Sequence, residues 1–138
     1  MAAVRNGPAR DQGISVFQGA GVQYTVPISD PNGTRPDLTG ATAAWWLGPM
    51  PAGRAQGPQY LVADAPGTFT KALSIVADPT VPGAYMVVLD IVPEDYAGFS
   101  PLDLCQHEIW IAEVGKSPYP ATLGRFLING TVKGAAAS

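Results

Sequence analysis

The sequence predicts an all-β fold, an antiparallel sandwich of seven to eight strands. Three observations carry this expectation. Between residues 14 and 133 apolar residues recur with a period of two, the mark of half-buried strands. The 16 glycines and 14 prolines fall between the apolar runs rather than in tracts, so they read as turn punctuation. No helical periodicity outlasts a turn or two. Short strands separated by turn signals, without long helices, call for a sandwich or a barrel.

Each element has a local reason. Residues 1–13 (MAAVRNGPARDQG) are small and polar without periodicity, and predict a flexible N-terminal arm that orders on a partner. The folded domain is expected over 14–133, and 134–138 is a short Ala-rich tail. Val22, Tyr24, Val26 and Ile28 alternate with Gln23 and Thr25, which face away. Asp30-Pro31-Asn32-Gly33 then supplies turn chemistry: Asp and Asn bond nearby backbone, Pro sets φ, and Gly accepts positive φ. Asp37-Leu38-Thr39-Gly40 turns into a strand over 41–47. There Trp45 and Trp46 are neighbours, so they point to opposite faces, one into the core and the other outward.

A long loop is expected over 48–58. Strands follow at 59–63, 68–76 and 84–92, separated by Ala65-Pro66-Gly67 and by the Pro79 to Gly83 turn. Pro93-Glu94-Asp95-Tyr96 suits a short helical turn, with Pro at its first position and acidic residues at the favourable end of the dipole. Strands over 107–114 and 123–132 close the set. There is no internal repeat.

Composition narrows the function. A chain of 138 residues fits one domain with a real hydrophobic core. Only 14% of residues are charged, against about 25% in ordinary soluble domains, so much of the surface is expected to be covered by neighbours. A net charge of −3 and singly scattered Lys and Arg argue against a nucleic-acid partner, which needs a basic stripe. No apolar run approaches the ~20 residues that span a bilayer, so no membrane partner is expected. The opening Met-Ala-Ala-Val-Arg has no apolar signal-peptide core, which predicts synthesis and assembly in cytoplasm. One cysteine, Cys105, makes no intrachain disulfide and no cysteine-based zinc site; a buried, inert thiol is expected.

Candidate chemistry is sparse. His107 is the single histidine. It lies two residues from Cys105 on one strand, about 7 Å away, too far for a nucleophile–base pair. A packed imidazole at a sheet end is expected, beside Ile109 and Ile111. Asp90, Glu94, Asp95, Asp103 and Glu108 form the densest acidic set, yet carry no glycosidase or EF-hand pattern. The Asp30 turn with Asp37 has oxygen ligands to offer calcium, although such loops are ordinarily just turns. Gly19-Ala20-Gly21 lacks the third glycine and following helix of a dinucleotide site. No catalytic, metal-binding or cofactor-binding residue is assigned. Trp45, Trp46, Tyr60, Tyr85, Trp110 and Tyr119 offer either sugar-stacking faces or anchors for a protein interface.

Several segments together resemble the N-terminal Ig-like module of phage baseplate upper proteins and related short tail or head proteins. They are 21–28, Asp37-Leu38-Thr39-Gly40-Ala41, Thr68 to Leu73, and Pro82-Gly83-Ala84-Tyr85. The likeness continues through Pro93 to Phe99, His107-Glu108-Ile109-Trp110-Ile111, and the Leu127-Ile128-Asn129-Gly130-Thr131-Val132 ending. It covers about residues 14–133. Where such modules carry an aromatic–acidic pair, this chain has His107-Glu108.

The resemblance implies an Ig-like β-sandwich and a non-enzymatic bacteriophage virion protein without a cofactor. Such a protein docks in tail, baseplate or fibre attachment, or alternatively decorates the capsid. Other virion proteins (tail, portal-proximal or capsid) are its expected partners, in a homo-oligomer or in many copies per particle. A carbohydrate-binding module and a sandwich hydrolase are the competing readings. Val4, Arg5, Arg10, Trp45, Trp46, Met50 and Tyr119 are the candidate partner interface, and removal of residues 2–13 is expected to leave the fold intact.

Overall fold

The computed structural model describes residues 10–49 and 68–134. The strand expected at 59–63 and most of the loop expected at 48–58 lie outside the described residues. Among the described residues eight strands appear: β1 (Arg10–Asp11), β2 (Ile14–Phe17), β3 (Val22–Pro27), β4 (Thr42–Pro49), β5 (Phe69–Ala77), β6 (Tyr85–Ile91), β7 (Cys105–Ala112) and β8 (Tyr119–Asn129). A short 3-10 turn, Pro93–Tyr96, follows β6, where the proline and acidic residues predicted one.

Along the sheet the order is β1–β8–β7–β4–β5–β6–β3, with β2 also on β8. One strand belongs to both halves. The first part of β5 pairs with β4 (Leu47 with Phe69, Ala43 with Leu73), and its second part pairs with β6 (Ser74 with Val88, Ala77 with Tyr85). β5 is therefore one corner of the fold. The turn over 18–21 is the other, carrying the chain from β2 on β8 to β3 on β6. The result is an all-β, mixed sheet that is nearly barrel-shaped.

The expectation of an antiparallel fold throughout needs correcting. β1 and β2 run parallel to β8, in one continuous register from Arg10 opposite Thr122 to Phe17 opposite Asn129. A parallel neighbour needs a crossover rather than a hairpin, and here the entire domain intervenes between the two strands. The arm boundary moves as well. Residues 10 and 11 belong to the sheet, where β1 pairs with β8, and Gln12 N still donates to Leu123 O at 2.8 Å.

Alternation places the core as the sequence predicts. Ala43, Trp45 and Leu47 of β4 face inward beside Cys105, His107, Ile109 and Ile111 of β7. Val26 of β3 opposes Val87 of β6, and both are buried. On β8 a bulge intervenes: Ile109 pairs with Thr122 but Trp110 with Pro120. The extra residue, Ala121, lets Tyr119 and Thr122 both face inward, and a proline is tolerated at a bulge because the ladder is already broken there. Trp45 is the hub, with Phe126 at 5.8 Å and Phe69 at 6.2 Å, both edge-on. A buried aromatic of this kind contributes about 3–5 kcal/mol against its alanine variant.

Polar ties hold the connections. Asp30 accepts from Asn32 N, Thr34 N and Thr34 Oγ1, and Gly33 takes φ +85° to close that turn. Arg35 donates to the carbonyls of Ile28 and Tyr85 and to Asp78, pinning the 28–41 connection across two strand ends. Lys71 shares the inner face of β5 with Phe69, Leu73 and Ile75. Its stem packs there while its ammonium reaches the carboxylate of Asp95 and the carbonyl of Asp90.

Gly124 lies where β1 passes into β2. A Cβ there would stand 2.9 Å from Gly13 N and closer still to the Gln12 carbonyl. Gly124→Ala is therefore expected to lower unfolding free energy by about 1–3 kcal/mol, measured by urea denaturation. Gly98→Ala, where nothing lies within 4 Å, should change it by less than about 0.5 kcal/mol.

Candidate functional site

The N-terminal strand is held by a histidine. His107 is fully buried. Its Nδ1 accepts from Trp45 Nε1 at 3.2 Å, and its Nε2 lies 2.6 Å from the carbonyl of Gln12. An indole N–H only donates and a carbonyl only accepts. The imidazole is thus neutral, with its proton on Nε2. Burial pushes its pKa below the ordinary 6.5, against the opposing pull of the Gln12 carbonyl and the negative charge of Glu108. Because Gln12 turns its carbonyl inward, the ladder is interrupted between Asp11 and Ile14, and Gly124 provides the space for that approach.

The strand is secured at its far end too. Tyr96 Oη donates toward the carbonyls of Phe17 and Ala20. Asn129 Nδ2 donates to Ser15 Oγ and Val16 O, and Thr131 Oγ1 to Gln18 O.

The residues singled out from sequence separate. Val4, Arg5, Met50 and Tyr60 lie outside the described residues. Arg10 opens β1. Trp45 and Tyr119 need correcting as interface residues. Trp45 is wholly enclosed by the aromatic core. Tyr119 is also buried, because the bulge turns it inward, and its hydroxyl donates to Glu113 at 2.6 Å. Trp46, by contrast with Trp45 and Tyr119, has its side chain on the surface, at 41% exposure.

Sequence reasoning missed the apolar surface at the Asn129 end of β8. Phe17 (64% exposed) and Leu127 point outward from adjacent parallel strands, Ser15 being directly opposite Leu127. Leu104 precedes the Cys105–Phe126 pair, and Leu102 (92% exposed) tops the same connection. A signal was present: in Phe126-Leu127-Ile128 the alternation breaks, so one residue of the run must face out.

The titratable groups are mostly occupied locally. Burial, then the nearby Asp103 charge, pushes the Cys105 thiol up to about 12, which keeps it protonated at neutral pH. Asp103 accepts from Ser100 N, and Asp37 accepts from the amide and hydroxyl of Thr39. Among the described residues no three His, Cys, Asp or Glu side chains gather closely enough to hold a metal ion, and no helix is long and apolar enough to cross a membrane. No family model matches this chain, and no curated protein does.

The His107 clasp has a pH signature. Below about pH 6.5 the unfolded chain takes up a proton that the native imidazole still refuses, so stability falls on acidification. The contribution is complete above 6.5 and is lost as pH drops through the lower native pKa. Asp30, Asp37 and Asp78 are held below their usual 3.8 by hydrogen bonds, Asp78 to about 2, so they act at lower pH. Urea midpoints measured between pH 8 and 5 should decline below 6.5 in the wild type, and the decline should vanish in His107→Gln.

Proposed function

We propose that the chain is a non-enzymatic docking module of a bacteriophage virion, an adaptor in tail, baseplate or fibre attachment. The observation that carries this reading is the placement of two attachment points at opposite ends of β8. β1 begins at Arg10, beside Thr122, and Phe17, Leu127, Leu104 and Leu102 are exposed toward the Asn129 end. Seven residue steps separate Arg10 from Phe17, at most about 23 Å. An adaptor needs two separate contacts, one toward each neighbour, and head-to-tail contacts of this kind build rings or stacks.

An Ig-like sandwich is the finer form of the fold within this proposal. Two features support it: a buried tryptophan on an interior strand of one layer, between β7 and β5, and an N-terminal strand parallel to the last strand. Together with the sequence resemblance, they favour the virion reading. Decoration of the capsid is the alternative placement, and copy number separates the two: tens per particle for an adaptor, hundreds for decoration.

Mass spectrometry of purified particles from the virus encoding this chain should find the protein at adaptor stoichiometry. Phe17→Asp with Leu102→Asp, and separately removal of residues 2–9, should each lower incorporation about tenfold or more without moving the urea midpoint. Removal of residues 2–13 should instead destabilise the isolated fold, because it strips the partner from His107 Nε2. Particles that lack the protein, or that take up both variants normally, would overturn the proposal.

A further inference from the structure

The outer surface of β4 and β7 carries a second cluster, two and three strands across from β1: Glu108 pairs with Leu123, which pairs with Asp11. Trp46 stands directly opposite Glu108 on one side and Thr70 on the other. Ala44 lies opposite Trp110, and Gly48 opposite Gln106. Small residues thus flank Trp46 along its own strand and leave its indole standing clear. Beside it opens a trough of about 160 Å³ bordered by Trp46, Thr68, Gln106 and Glu108. It exists because Gly48 has no side chain: a Cβ there would press on Thr68 Oγ1 at 3.0 Å.

The polar side of this trough is preorganised. Gln106 Nε2 donates to Glu108 Oε2 at 2.6 Å, and Trp110 Nε1 donates to Glu108 Oε1 at 2.7 Å. Each carboxylate oxygen retains a second acceptor site. A carboxylate already fixed in place loses little further side-chain freedom when a ligand binds. The trough therefore sets a pair of fixed acceptors beside a flat apolar ring.

A pyranose presents the complement of that arrangement. Its C–H face packs on an indole, and two neighbouring hydroxyls donate to the two oxygens of one carboxylate. The charge of Glu108 selects against an acidic sugar. We infer that this face binds the neutral hexopyranose unit of an oligosaccharide, with Trp46 as the platform and Glu108 as the hydroxyl acceptor. Gln106 and Trp110 are positioning residues that hold the carboxylate. The inference stands apart from the docking proposal, since either can fail alone.

The test is an NMR titration of the full-length protein labelled with nitrogen-15, which carries three tryptophans and hence three indole N–H signals. Maltohexaose, cellohexaose, laminarihexaose and mannohexaose are added separately to millimolar concentration, with hexagalacturonate as the acidic control. At least one neutral sugar should shift the Trp46 and Trp110 signals and leave buried Trp45 unmoved, while the acidic control shifts none. Trp46→Ala and Glu108→Gln should each weaken binding about tenfold with the urea midpoint unchanged, and Trp46→Phe should retain most of the affinity. No shift of Trp46 or Trp110 with any of the four sugars, or unchanged affinity in both Trp46→Ala and Glu108→Gln, would overturn the assignment.

Discussion

A neutral imidazole, enclosed between an indole N–H and a main-chain carbonyl, joins three parts of the chain that are remote in sequence. His107 lies 62 residues from Trp45 and 95 residues from Gln12. Each bond dictates the other: the indole forces Nδ1 to accept, so the proton resides on Nε2 and must find an acceptor. Only a carbonyl turned inward from the N-terminal strand supplies one. A net hydrogen bond of this kind contributes about 0.5–1.5 kcal/mol, whereas leaving the buried donor unmatched costs about 1–3 kcal/mol. That asymmetry makes the N-terminal strand part of the core.

The rest of the architecture depends on this attachment. With β1 and β2 secured to β8, the short turn after Phe17 must cross to the opposite layer, where β3 joins β6. Tyr96 braces the crossing through the carbonyls of Phe17 and Ala20. β5 makes the second crossing by changing partners midway. Two strand-switching corners curl the sheet almost into a barrel, which leaves less open edge than a flat sheet would. Glycine is required at Gly124 for the same reason that histidine is required at His107, since both face the one point where the parallel strand bends inward.

Attachment of the first strand also organises the surface. Parallel pairing sends the chain into the body at one end of β8 and sets Phe17 beside Leu127 at the other. The outward row of β4 and β7 is separated from these ends laterally, across the sheet, and carries a different chemistry, Trp46 and Glu108 beside Ala44 and Gly48. One apolar end and a polar–aromatic face thus occupy separate regions of one rigid sheet. The inward side chains of its strands, with Trp45 edge-on to Phe126 among them, hold that sheet in place.

Local spacing alone made much of this legible. The alternation of Val22, Tyr24, Val26 and Ile28, the Asp30 to Gly33 turn, the single turn at Pro93, and the opposed Trp45 and Trp46 all follow from contacts within a few residues. A pleated backbone fixes which neighbours face together whatever the rest of the chain does. The two-residue, polar β1 and the four-residue β2 were too short to register as strands. Their parallel direction, the bulge that buries Tyr119, and the burial of Trp45 rather than Trp46 required the assembled fold. Those outcomes rest on partners many tens of residues away, whose pairing is settled by burial and hydrogen-bond satisfaction in three dimensions, and sequence periodicity does not encode that.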